Sequence, residues 1–99
     1  MFDISGLSVL YVEDEPDLRA HVAFALRLHI NSVLTAANGK EALAIIRSNR
    51  PDVVISDIRM PVMDGLELAT SLRKEFPGLP LLFCTAFTDT DYLLKAIEL

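Results

Sequence analysis

Residues 53–65 read Val53-Val54-Ile55-Ser56-Asp57-Ile58-Arg59-Met60-Pro61-Val62-Met63-Asp64-Gly65. The apolar run Val53-Val54-Ile55 has the length of a strand buried on both faces, and it ends abruptly in an acid, Asp57. Asp57 therefore stands where a parallel strand meets its loop. In open α/β sheets that carboxyl edge is where ligands bind, so an ionisable side chain there is a stronger functional candidate than one on a helix face. Pro61 stiffens the loop that follows. Asp64 and Glu67, three residues apart, have the spacing of a helix N-cap and its reciprocal partner, which opens a helix near Gly65.

The same succession of strand, polar edge and capped helix recurs along the chain. Residues 7–12 read as a first strand that runs straight into Glu13, Asp14 and Glu15. Pro16 suits a first helical turn, and Leu18, Val22, Ala25, Leu26 and His29 then recur at three- and four-residue steps as helix 1. Residues 33–36 form a short second strand. Asn38-Gly39-Lys40-Glu41 again has a cap and a third-position acid, Ala42, Leu43, Ile45 and Ile46 give the second helix its apolar side, and Asn49-Arg50-Pro51 stops it. Leu68, Ala69, Leu72 and Phe76 mark a third helix, closed by Pro77-Gly78 before a fourth strand over residues 80–84. Thr85 follows that strand as Asp57 follows the third. A fourth helix starts near Thr88 or Asp89, with Tyr92, Leu93, Ala96 and Ile97 as its apolar face. Four β-then-α units in strict alternation predict an α/β fold, a doubly wound parallel sheet with helices on both faces.

With 99 residues, 52% of them apolar, and a net charge of −5, the chain has enough core for one small domain, residues 1–99. The acidic balance and the lack of a basic run argue against direct nucleic-acid binding by this chain. The start, Met-Phe-Asp-Ile-Ser-Gly, lacks a basic region followed by a long apolar stretch, and no later run approaches a membrane span. A cytoplasmic protein with no membrane partner is expected. The single cysteine, Cys84, lies in the apolar run Leu81-Leu82-Phe83-Cys84 and reads as a buried spacer. The chain stops at Glu98-Leu99 within an apolar-faced predicted helix that has no C-cap glycine or terminal proline, which predicts a C-terminally incomplete domain. Strand 4 is then a sheet edge of apolar sequence, and either self-association through the strand 4 and helix 4 surface or marginal stability is expected.

Adjacency of strands 1 and 3 would bring Glu13, Asp14 and Asp57 to one edge, with Thr85 beside them. Three close carboxylates repel unless a cation sits between them. Oxygen-only ligands without a nearby histidine or cysteine favour Mg²⁺. Mg²⁺ keeps exchangeable waters that phosphate oxygens replace, so the arrangement points to phosphoryl chemistry, with an aspartate as the nucleophile that forms an acyl phosphate. The hydroxyl of Thr85 would be a donor to the phosphoryl oxygens. A small Mg²⁺-dependent phosphatase using an aspartyl phosphate fits less well, because such enzymes resemble Asp-x-Asp after a strand and position 59 here is Arg. Met60 and Met63 read as loop packing, since thioethers suit soft metals.

Three motifs in this order, Tyr-Val-Glu-Asp-Glu at 11–15, Asp-Ile-Arg-Met-Pro-Val-Met-Asp-Gly at 57–65 and Thr-Ala at 85–86, resemble the receiver domain of two-component response regulators. The resemblance covers the chain from Val9 to the end. It implies a flavodoxin-like fold with strand order 2-1-3-4 for the units present, the fifth strand and helix being absent. It implies Asp57 as phosphoacceptor and Glu13 and Asp14 as the acidic pair that holds Mg²⁺, Asp14 directly and Glu13 often through water. The backbone carbonyl of Arg59 would be a further ligand. Thr85 matches the switch hydroxyl, and the small Ala86 keeps access to it open.

The implied function is a phosphorelay switch that accepts a phosphoryl group from a sensor histidine kinase or a histidine phosphotransfer protein. Such a domain catalyses its own phosphorylation and dephosphorylation but has no separate turnover substrate. His21 and His29, on helix 1 away from the strand ends, are not the phosphohistidine, which belongs to the partner. The family's phosphoryl-pairing lysine on a fifth strand lies past the end of this chain, and Lys95 on predicted helix 4 is no substitute. That departure leaves an alternative, a non-phosphorylated pseudo-receiver acting as a protein-interaction module.

Overall fold

Four strands, β1 (Ser8–Val12), β2 (Ser32–Ala36), β3 (Val53–Asp57) and β4 (Leu81–Cys84), form one parallel sheet in the order β2-β1-β3-β4. They alternate with α1 (Pro16–Arg27), α2 (Gly39–Ser48) and α3 (Gly65–Glu75). The computed structural model describes residues 3–57, 63 and 65–84. The expected roles of Arg59, Met60, Pro61, Asp64, Thr85, Ala86 and Lys95, the burial of the Cys84 side chain, and the helix carrying Tyr92, Leu93, Ala96 and Ile97 all fall outside the described residues.

The strand order is the flavodoxin-like one, and the central strands have the sequence that position demands. Val53, Val54, Ile55 and Ser56 are all buried, as are Val9 to Val12 of β1, so neither strand alternates in polarity. Alternate side chains enter two apolar layers. Val9, Tyr11, Val53 and Ile55 pack with Val22, Ala23 and Leu26 of α1 on one side. Leu10, Val12 and Val54 pack with Ala42, Leu43 and Ile46 of α2 and Leu68 and Leu72 of α3 on the other. The result is three layers, with both helix layers tied to the sheet by side chains of the same two strands.

Several boundaries differ from the sequence reading. His29 does not belong to α1. The helix ends at Arg27, where the N–H of Leu28 bonds to the Ala25 carbonyl at 3.2 Å and that of His29 to the Leu26 carbonyl at 3.0 Å, a tightened last turn. Arg27 then donates to the Val33 carbonyl at 2.8 Å, tying this end of the helix to β2. The buried stripe of α1 is Val22, Ala23 and Leu26, and Ala25 is only half-buried. The buried stripe thus leans to the Ala23 side of the Val22–Leu26 line. β1 starts at Ser8 and β4 at Leu81, each one residue later than expected, and β2 starts one residue earlier, at Ser32.

The predicted cap of α2 is present. Asn38 Oδ1 accepts the Glu41 N–H at 2.8 Å, and Glu41 reaches back to the N–H of Ala37 at 3.1 Å, one residue beyond the cap itself. A two-point pair between the Arg47 guanidinium and the Glu75 carboxylate joins α2 to α3 across the surface, and Arg50 lies 5.6 Å from the Phe76 ring centre. Among the described residues no helix is long and apolar enough to cross a membrane.

Candidate functional site

The sheet register puts the ends of β1 and β3 level, with Val12 paired to Ser56 and Ala36 on either side. Glu13 continues the ladder by one bond, its N–H donating to the Ala36 carbonyl at 3.0 Å. Its side chain is 3% exposed. Asp14 and Asp57 are half-buried at the same edge. One carboxylate oxygen from each of Glu13, Asp14 and Asp57 lies within 4.8 Å of the others, so the structure brings together the three acids that the sequence singled out.

The fourth acid of the region, Glu15, has a different task. It caps α1, its carboxylate accepting the N–H groups of Asp17 at 3.1 Å and Leu18 at 2.6 Å. Its own N–H donates to Glu13 Oε2 at 3.1 Å, which fixes one oxygen of the buried carboxylate. Burial pushes the Glu13 carboxyl above its ordinary value. The hydrogen bond shared with Asp14 and the negative charges of Asp57 and Asp14 push the same way, and the bond from Glu15 opposes them. A cluster of this kind lowers its own charge by holding a proton or by holding a cation.

The donor set consists of oxygen atoms alone, close enough to share one small ion, and this suits a hard divalent cation such as Mg²⁺. The residues present therefore fit the metal that the sequence implied. Arg59 and Thr85, expected beside it, lie outside the described residues. Met63 is half-buried and packs against the α2 and α3 side of the core, as loop packing requires. His21 and His29 are exposed.

Two residues of the surroundings had no role in the sequence reading. Arg19, one turn into α1, sends Nη1 back over the β1–α1 turn to the carbonyl oxygens of Glu13 at 2.9 Å and Asp14 at 3.5 Å. Its direction was legible in principle, since helical side chains lean toward the helix N-terminus. Gly39 starts α2 and donates its N–H to the Met63 carbonyl at 3.2 Å. A Cβ at Gly39 would stand 2.8 Å from that oxygen and 2.7 Å from Met63 Cγ, closer than such atoms pack.

The model of the response regulator receiver domain matches residues 9–99. The chain belongs to the response regulator receiver domain family. It is a receiver domain of two-component signal transduction. It is similar to the probable transcriptional regulatory protein TcrX of Mycobacterium tuberculosis, at 46% identity over 84 residues, which is 85% of this chain and 36% of TcrX. The receiver domain thus spans well under half the length of that relative, as it does of the transcriptional regulatory protein PrrA of Mycobacterium bovis, of which 41% is matched at 38% identity.

Solved receiver structures superimpose closely. The Vibrio cholerae chemotaxis protein CheY4 aligns with a TM-score of 0.86 at 28% identity, over 94% of this chain and 97% of CheY4. The response regulator TrrA of Thermotoga maritima, solved in complex with Mg²⁺-BeF, aligns with a TM-score of 0.85 at 29% identity, over 93% of this chain and 96% of TrrA.

Proposed function

We propose that this receiver domain is a phosphorelay switch in which Asp57 accepts a phosphoryl group from the phosphohistidine of a sensor kinase or phosphotransfer protein. The observation that carries the reading is the convergence of Glu13, Asp14 and Asp57 within 4.8 Å at the carboxyl edge of a parallel sheet. Glu13 and Asp14, with Asp57 and the backbone carbonyl of Arg59, would hold Mg²⁺. When bound, Mg²⁺ neutralises charge on the phosphoryl oxygens and on the carboxylates around them.

The chain's own contribution is positioning. Asp57 ends a strand buried along its length, so its carboxylate is presented from a rigid base. Its oxygen forms the new bond to phosphorus while the phosphorus–nitrogen bond of the donor breaks. The electron pair leaves on the imidazole, which takes up a proton. Glu13 is fixed by the Glu15 N–H and by burial, and burial with the nearby Asp57 and Asp14 charges raises its affinity for protons. Thr85 would donate its hydroxyl to a phosphoryl oxygen and move with it. Acyl-phosphate formation would bias a two-state equilibrium, the usual basis of such switching. The chain has no separate turnover substrate in this reading.

Incubation with Mg²⁺ and a small acyl-phosphate donor, followed by intact mass measurement, tests the assignment. One added phosphoryl group is expected in the parent chain and none in Asp57→Asn or without Mg²⁺. Labelling that persists in Asp57→Asn would sink the assignment, and partner binding without any labelling would favour a pseudo-receiver acting as an interaction module.

A further inference from the structure

We propose that Arg19 is a positioning residue for the acidic site, holding the β1–α1 turn so that Glu13 and Asp14 face Asp57 before any cation arrives. The inference rests on the reading of that site as a Mg²⁺ site. It adds a residue on a helix that touches neither phosphoryl group nor metal.

The turn must do something costly. It carries two adjacent acids to a third and keeps all three there despite their mutual repulsion, with Glu13 out of water. A turn free to swing would relieve that repulsion by moving Asp14 outward. Three hydrogen bonds oppose the swing. The Glu13 N–H is held by Ala36 of β2, the Glu15 N–H by the Glu13 carboxylate, and the Glu13 carbonyl by Arg19 at 2.9 Å. The weaker second contact of the same nitrogen, 3.5 Å to the Asp14 carbonyl, spans the next peptide. Arg19 is itself half-buried and its backbone N–H is fixed to the Glu15 carbonyl at 2.9 Å, so the guanidinium works from an anchored base.

A guanidinium on the turn that carries Glu13 and Asp14 could act differently, as a fixed positive charge that competes with the metal. The two roles predict opposite signs. A competing charge should make its removal tighten Mg²⁺ binding, whereas a positioning group should make its removal weaken it. The hydrogen bonds of Nη1 run to main-chain carbonyls, the atoms that set the path of the turn, and this favours positioning. Groups that orient metal ligands in this indirect way typically change affinity by roughly 10–100-fold when removed.

The test titrates Mg²⁺ into the full chain and into Arg19→Met and Arg19→Lys by calorimetry, with unfolding midpoints measured in chelator as the fold control. Arg19→Met is expected to bind Mg²⁺ at least about tenfold more weakly. Arg19→Lys keeps the charge on a single-point donor and is expected to recover only part of the loss. Amide exchange at Glu15 should quicken in Arg19→Met even without metal. Unchanged or tighter Mg²⁺ binding in Arg19→Met would overturn the proposal, as would full recovery by Lys, which would make charge the whole effect. If Arg19→Met fails to fold, the comparison of Arg19→Lys with the parent decides, and equal affinity there overturns it. Absence of Mg²⁺ binding in the parent chain, or binding that survives Asp14→Asn with Glu13→Gln, would instead overturn the site reading beneath it.

Discussion

Gly39 donates its backbone N–H to the carbonyl oxygen of Met63, so the first residue of α2 is fastened to the segment between β3 and α3. The Met63 side chain lies across the space that a Cβ at position 39 would occupy. Replacement by alanine would bring two opposing effects. Alanine is the better helix former, but its methyl would meet a backbone oxygen at 2.8 Å, which yields less readily than the end of a flexible side chain. The steric effect should win. Gly39→Ala is expected to lose about 1–3 kcal/mol in urea unfolding, and to slow labelling of Asp57 because the displaced segment follows the acceptor strand.

The cap of α2 gives a cleaner measure of local stability. Asn38→Ala removes the acceptor of the Glu41 N–H, and we expect a loss of about 1 kcal/mol. Asn38→Ser, which keeps an acceptor at the cap, should recover most of it. Equal unfolding midpoints for the parent and Asn38→Ala would mean that solvent replaces the side chain without cost.

The buried carboxyl of Glu13 makes stability depend on pH. Its folded-state affinity for protons is raised above the ordinary glutamate value of 4.5, chiefly by burial. The stabilisation from this group is therefore fully present below pH 4.5 and is lost as pH rises through the higher folded value. In chelator, Glu13→Gln should narrow the difference in midpoint between mildly acidic and neutral solution, and should raise the midpoint at neutral pH. Glu75, held below its ordinary value by Arg47, acts in the opposite direction, so the comparison of the parent with Glu13→Gln isolates the site. Adding Mg²⁺ at neutral pH should raise the midpoint of the parent more than that of the variant.

Among the described residues β4 is one of the two outer strands of the sheet, and Phe83 on it is 38% exposed. We expect concentration-dependent self-association through this strand, measured by light scattering, and its reduction in Phe83→Lys, since a charge on an edge strand opposes pairing. A monomer at every concentration would show that the edge is protected.

The parts of the fold carried by residue type were legible in advance. The run Val53-Val54-Ile55 announced a central parallel strand, Asn38 with Glu41 announced a helix start, and acids after two strands announced the site. What escaped were contacts whose meaning depends on a partner. Gly39 matters because Met63, distant in sequence, approaches it. Arg19 matters because it reaches main-chain carbonyls, which carry no signature in the sequence. Ala23 and Ala25 are the same residue type two positions apart, and only the packing of α1 on the sheet decides which is buried. Period counting extended α1 to His29 because it cannot see the tightened last turn at Leu28.

Ser8 and Asp52 lie at the opposite edge of the sheet from the acids. Asp52 Oδ2 accepts the Ser8 N–H at 2.7 Å, and the Asp52 N–H returns a bond to the Ser8 carbonyl at 2.7 Å. This double tie sets the alignment of β1 with β3 before either strand reaches the site. A slip of one residue between the strands would carry Glu13 and Asp14 away from Asp57 and reverse the face of every side chain. Alignment is thus secured at one end of the sheet and used at the other. The residues that fix the register therefore lie outside the site itself, and a change at Ser8 or Asp52 would be felt at the carboxylates without touching them.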